Sequence, residues 1–284
     1  MLLRLDAARR FEIASGRELW HTGRGKTNTR GGVVLSTMKP FLILQLRPEA
    51  AVADNEFDAI LEKGGLDRAQ AARIRLDCEP IPPDINLQDY AGIIVGGGPG
   101  CVSDAPDQKT DTEKRIEDSI IALMPAIADK DFPFLGCCYG IGILAHHLGA
   151  RVGKERYGED VGAVECSMTD AGASDPLLEG MPEKFLAFVG HKEAVEELPA
   201  GCAHLLSSSP CPFQMIRYKR NVYATQFHPE ADAAVFELRI NIYKDKGYFP
   251  PDEADALITH CHAQRVHAPQ AILRNFVETY GANK

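Results

Sequence analysis

Apolar residues fall in short unbroken runs along the first half of the chain, separated by longer segments with helical spacing. Phe41-Leu42-Ile43-Leu44-Gln45 and Ala91-Gly92-Ile93-Ile94-Val95 have no alternating polar positions, as expected of strands buried on both faces. Further strands fall within residues 72–77 and at Phe134-Leu135. Between these runs, residues 55–63 read as a helix ended by Gly64-Gly65, after Arg47-Pro48 breaks the first strand. Ile116, Ile120, Ile121, Leu123 and Met124 mark a second helix over about residues 111–129. Strands alternating with helices over short loops predict an α/β fold, an open and mostly parallel sheet with helices on both faces. Such sheets bind ligands beyond the carboxyl ends of their strands.

The pattern then changes. Residues 151–169 and 185–218 read as shorter, β-rich pieces. Two helices follow, over residues 233–246 and 251–265, separated by Phe249-Pro250-Pro251, and a last helix surrounds Ile272-Leu273-Arg274-Asn275-Phe276. Residues 1–37 match none of this. They hold seven Lys and Arg against three Asp and Glu, and the only tryptophan, Trp20. Their acidic residues and missing apolar core argue against a targeting peptide. They are expected to be an upstream extension, disordered or loosely packed, before a domain over residues 38–284.

Charge narrows the function. A formal net charge of −9 argues against a nucleic-acid partner, and no apolar run approaches a membrane span. Eight cysteines occur with no Cys-x-x-Cys spacing and no secretion signal, the usage of a reduced, cytoplasmic protein.

Candidate chemistry centres on Phe132-Pro133-Phe134-Leu135-Gly136-Cys137-Cys138-Tyr139-Gly140-Ile141-Gly142. The stretch reads as a strand, a glycine-flanked turn and a helix, the nucleophile-elbow pattern with Cys138 at its centre. A cysteine at a helix N-terminus is expected to favour its thiolate, although a buried free cysteine is often only a small hydrophobe. Gln226-Phe227-His228-Pro229-Glu230 supplies what such a nucleophile needs. His228 and Glu230, two apart in an extended segment, leave on one face, so Glu230 can orient His228 as the base for Cys138.

Gly136-Cys137-Cys138-Tyr139-Gly140, Gln226-Phe227-His228-Pro229-Glu230 and Gly96-Gly97-Gly98-Pro99 together resemble the class I glutamine amidotransferases, over roughly residues 39–230. That family includes the glutaminase halves of GMP synthase, anthranilate synthase and carbamoyl phosphate synthetase. The resemblance implies a flavodoxin-like fold with the elbow after a central strand and a Cys138-His228-Glu230 triad. It also implies an oxyanion hole from the N–H groups of Gly98 and Tyr139, donors typically worth about 2.7–4 kcal/mol each in the transition state. Gly97, Gly142, Gly190 and His191 become candidate substrate contacts. Gly190 stands where the family's Ser-His loop has serine, and Gly142 where it commonly has glutamine, which is expected to leave a gap beside the nucleophile. The Gly-Gly-Gly run lacks the Lys-Ser/Thr of a phosphate loop. Neighbouring histidines in His146-His147 and His260-Cys261-His262 point apart on a helix, so no metal is expected, and the chemistry needs no cofactor.

The implied activity is hydrolysis of the γ-carboxamide of glutamine through a γ-glutamyl thioester, releasing ammonia. With no acceptor domain expected after Glu230, a separate synthase subunit would receive that ammonia. The alternatives are a γ-glutamyl hydrolase or peptidase, which the gap at Gly142 favours, and a non-catalytic regulatory or binding subunit, whose mark would be a missing triad residue. Cysteine proteases and chaperones with a similar elbow usually place His after the nucleophile, where this chain has Tyr139. The helical insert at about residues 231–268 has three readings: a cover over the site, a homodimer contact, or a packing appendage.

Overall fold

A computed structural model describes residues 39–282; the extension expected over residues 1–37 lies outside them. The strands are β1 (Phe41–Gln45), β2 (Ala71–Arg75), β3 (Ile93–Val95), β4 (Phe134–Cys137), β5 (Val152–Gly153), β6 (Glu159–Met168), β7 (Lys184–His191), β8 (Ala194–Val195), β9 (Cys202–Ser207), β10 (Met215–Tyr218) and β11 (Val222–Thr225). The helices are α1 (Ala50–Gly64), α2 (Asp111–Lys130), α3 (Tyr139–His147), α4 (Asp170–Ala173), α5 (Ala233–Tyr243), α6 (Ala254–Ala263) and α7 (Gln270–Gly281).

Nine strands form one sheet in the order β2-β1-β3-β4-β11-β10-β9-β6-β7. The first five are mutually parallel, and β10, β9, β6 and β7 extend the sheet antiparallel. The fully apolar runs sit where both faces are covered. Phe41 and Ile43 of β1 pack into a core with Phe57, Ile60, Leu273 and Phe276 of α1 and α7. Leu42 and Leu44 pack on the opposite face with Ile116, Ile120, Met124 and Leu144 of α2 and α3. The period of two along a strand thus feeds two cores at once.

Helix ends follow their sequence signals. Thr110 and Glu113 close a capping box on α2, Glu113 N–H to Thr110 Oγ1 at 3.2 Å and Thr110 N–H to Glu113 Oε2 at 2.7 Å. α1 ends at Gly65 with φ 68°, but it begins at Ala50, five residues before the expected start. Alanine is the best helix former, and Val52, Ala53 and Phe57 share its buried face. A third core joins Phe188 of β7 to Val235, Phe236 and Ile240 of α5 and to Cys261 of α6. α5 is three residues shorter than expected, and a 3-10 turn over Pro251–Glu253 precedes α6.

The carboxyl ends of β1, β3, β4 and β11 adjoin one another in the parallel part of the sheet. They lead into Leu46-Arg47, Gly96-Gly97-Gly98, Cys138 and Gln226-Phe227-His228 respectively. Every motif singled out for chemistry therefore converges on one edge.

Candidate active site

Cys138 sits between β4 and α3 with φ 54° and ψ −94°, a conformation that L-residues with a Cβ avoid. Its N–H donates to the Thr225 carbonyl of β11 at 2.7 Å, fixing the turn to the neighbouring strand. Gly136 is needed below it: a Cβ there would lie 2.9 Å from the Phe134 ring and 3.0 Å from the Gly140 carbonyl carbon. Cys137 is wholly buried in the core with β3 and α1 residues, while Cys138 lines the cleft.

His228 is held from both ends. Its N–H donates to the Phe188 carbonyl at 3.1 Å, and its Nδ1 lies 2.8 Å from Glu230 Oε1. That leaves Nε2 as the nitrogen available for proton exchange. Glu230 is fully buried, and Arg239 Nη2 of α5 donates to the same Oε1 at 2.8 Å. A second buried pair stands behind: Arg47 Nε donates to Glu56 Oε2 at 2.8 Å. Gly97 fits between the two, since a Cβ on it would lie 2.6 Å from His228 Cε1 and 2.7 Å from Arg47 Nη2.

This surrounding sets the protonation states. Burial pushes the Cys138 thiol up to about 12, against the opposing pull of Arg47 and Arg239. Burial lowers His228, with Arg239 and Arg47 adding to the effect and Glu230 opposing it. Burial would raise Glu230, but His228 and Arg239 outweigh it and hold the carboxyl well below its ordinary range. The resting site is a neutral thiol and a neutral imidazole beside a carboxylate. Burial thus works against the thiolate that the helix N-terminus is expected to favour. A base is therefore required to ionise Cys138.

Two cavities meet at Cys138, sharing Gly98, Gly190 and Tyr248. One is walled by Tyr139, Gly142, His191, Glu193 and Gln226. The other is walled by Arg47, His228, Phe236, Arg239 and Tyr243.

The family model for class I glutamine amidotransferases matches residues 56–241, the span holding the elbow, the glycine loop and the His-Pro-Glu segment. The chain belongs to this family. A glutamine-hydrolyzing GMP synthase from Thermosipho melanesiensis is 34% identical over 153 residues, 47% of this chain and 28% of the relative. The chain thus spans little more than a quarter of that relative's length. Among solved structures, a glutamine amidotransferase from Thermotoga maritima matches with TM-score 0.68 at 19% identity, covering 86% of this chain and 99% of that one. A glutamine amidotransferase from Methylobacillus flagellatus matches with TM-score 0.64 at 18% identity, over 87% of this chain and 98% of the other. These two likenesses establish the amidotransferase fold.

In this amidotransferase, Gly98 and Tyr139 stand together at the nucleophile. A Cβ on Gly98 would lie 3.1 Å from Tyr139 Cδ1, so the glycine loop lies on the tyrosine ring. Tyr139 is in turn anchored through its hydroxyl to Glu117 of α2 at 2.5 Å. Gly97, expected at the substrate, lies behind His228 and gives its N–H to Glu56 Oε2 at 3.3 Å. His191 lines the cleft with both nitrogens engaged by protein, Nδ1 to the Glu193 carbonyl at 2.8 Å and Nε2 to Glu159 Oε2 at 2.7 Å. Glu159, His191 and Cys211 form a group of metal-ligand type within 4.8 Å. Glu159 also accepts from Gln214 at 2.6 Å and Ser208 at 3.2 Å, so its lone pairs already serve the protein and the group acts as a buttress for the cleft wall.

The gap expected at Gly142 is filled. A Cβ there would lie 2.8 Å from Glu193 Oε1. The Glu193 carboxylate accepts the N–H of Val102 at 3.0 Å and of Ser103 at 2.6 Å, so it occupies the room that the glycine vacates. Sequence reasoning also passed over Arg47, Arg239 and Tyr248. Arg239 carried a readable signal, lying with Phe236, Ile240 and Tyr243 at i, i+3, i+4 and i+7 spacing on α5, a cation inside an otherwise apolar stripe.

Proposed function

We propose that this amidotransferase hydrolyses the γ-carboxamide of a γ-glutamyl compound, glutamine the simplest, through Cys138, His228 and Glu230. The observation that carries the reading is the strained elbow of Cys138 opening onto the same cavity as His228, whose Nδ1 is held by the buried Glu230. His228 Nε2 takes the thiol proton as sulfur attacks the carboxamide carbon. The carbonyl oxygen, now an anion, takes hydrogen bonds from the N–H groups of Gly98 and Tyr139. The C–N bond then breaks, and the same proton passes from His228 to the leaving nitrogen. Water, deprotonated by His228, cleaves the γ-glutamyl thioester to glutamate and free Cys138. Glu230 keeps the imidazole in the tautomer that carries hydrogen on Nδ1 and stabilises the transient imidazolium.

The likeness to glutamine-hydrolyzing GMP synthases supports a synthase as the user of the ammonia, when ammonia is the product. Glutamate release from glutamine and from γ-glutamyl amides tests the reading. Cys138→Ala is expected to abolish it and Cys137→Ala to retain most of it. His228→Asn should lower kcat by several orders of magnitude, and Glu230→Gln by less. A glutamine-like diazo-ketone should add once, on Cys138. Labelling confined to Cys137, or full turnover by Cys138→Ala, would overturn the assignment.

A further inference from the structure

The two N–H groups assigned to the oxyanion hole come from separate segments. Gly98 belongs to the loop after β3, and Tyr139 opens α3 after β4. An oxyanion takes both hydrogen bonds only when the two donors converge on one oxygen at about 2.7–3.1 Å. Loop and helix must therefore be held in register.

The Tyr139 side chain makes that link. The glycine loop lies along its ring: a Cβ on Gly98 would stand 3.1 Å from Cδ1, and one on Gly100 would stand 3.1 Å from both Cζ and the hydroxyl. The far end of the ring is fixed by that hydroxyl, which donates to Glu117 Oε2 of α2 at 2.5 Å. Lys109 Nζ donates to both Glu117 oxygens, at 2.7 and 2.8 Å, and to the Val102 carbonyl at 3.2 Å. Val102 lies two residues beyond Gly100, so the contacts close into a circuit of loop, ring, carboxylate, ammonium and loop again. All three side chains are nearly buried. Burial, then Glu117, push the Tyr139 phenol up, which keeps it a donor.

Stability does not account for this arrangement. A buried ion pair is a weak source of it, since apolar residues of like volume often serve as well or better. Lys109 and Glu117 also line neither cavity at Cys138. Their contacts lead instead to the one ring on which both oxyanion donors depend.

We propose, resting on the reading above, that Glu117, held by Lys109, is a positioning residue of the oxyanion hole, acting through the Tyr139 hydroxyl. It sets the ring, and the ring sets the distance between the Gly98 and Tyr139 N–H groups. The effect falls on the transition state, because the carbonyl of bound glutamine needs the two donors far less than the tetrahedral anion does.

The test measures glutamate release from glutamine by the full chain. Tyr139→Phe removes one oxygen and is expected to lower kcat by about tenfold to a hundredfold, short of the loss of a whole donor, with KM within about threefold of native. Two double variants remove the charges together, so that neither is left unmatched. Lys109→Met with Glu117→Leu should fall as far as Tyr139→Phe. Lys109→Met with Glu117→Gln keeps an acceptor for the hydroxyl and should retain clearly more of kcat. Alkylation of Cys138 by iodoacetamide, followed by mass spectrometry, forms no tetrahedral oxyanion and should keep its native rate in all three, which a general loosening of the elbow would change. Tyr139→Phe within about twofold of native kcat overturns the role, as does a loss that appears in KM or in the alkylation rate instead. If a double variant fails to fold, Tyr139→Phe decides alone. No glutamate from the native protein removes the hydrolase reading, and the oxyanion role with it.

Discussion

Cys138 is held at φ 54° and ψ −94°, a conformation that costs a non-glycine residue about 1–3 kcal/mol. The strain turns Cys138 toward the cleft at the end of β4 while Cys137 stays in the core. Cys138→Ala and Cys138→Gly both lack the sulfur and so isolate the backbone term. Glycine also gains freedom in the unfolded chain, which partly offsets the relief. The glycine variant is expected to be the more stable of the two by about 1 kcal/mol in urea unfolding. Equal midpoints for the two variants would mean that the turn is not strained.

At the scale of elements, the elbow helix and the loop after β7 have exchanged volume. Gly142 on α3 vacates the space that Glu193 takes, and Glu193 in turn holds the loop at Val102 and Ser103. Gly142→Gln must displace that carboxylate and orphan two N–H groups. A loss of about 1–3 kcal/mol in stability is expected from the overpacking, with kcat/KM lowered for glutamine and for larger γ-glutamyl substrates alike. Pairing it with Glu193→Gly should restore part of the stability, and a double variant no more stable than the single one would refute the exchange. The sequence showed the vacancy at Gly142 but not its occupant, because Glu193 lies fifty-one positions downstream and only β7 brings it back. Local elements were more legible. β1, β3, β4 and α2 follow from unbroken apolar runs and a capping box, signals contained within a few residues. The ends of α1 and α5 were misjudged where alanine-rich and charged termini carry no sharp stop.

Across the whole molecule, the site joins two kinds of structure. The parallel strands supply Cys138, His228 and Glu230, all readable as motifs. The helical segment after Glu230 supplies Arg239 and Tyr243 from α5 and then Tyr248, which wall the cleft. That role was open at the level of sequence, because nothing in a lone amphipathic helix says which cavity it faces. The join is electrostatic as well as apolar: Arg47, Glu56, Glu230, His228 and Arg239 form one buried cluster linking β1, α1, β11 and α5. This cluster couples stability to pH. His228 is lowered in the folded protein, chiefly by burial, so below the ordinary imidazole value of about 6.5 the unfolded chain binds a proton that the folded chain refuses. Stability therefore falls as pH drops through that window, and Glu230, held low by His228 and Arg239, extends the loss below the ordinary carboxylate value of about 4.3. Urea midpoints measured from pH 7.5 down to pH 5 should fall for the native protein and fall less steeply for His228→Asn, which has no proton to bind. Parallel slopes for the two proteins would show that His228 does not carry the burial-shifted charge assigned to it, and the neutral resting site would fall with it.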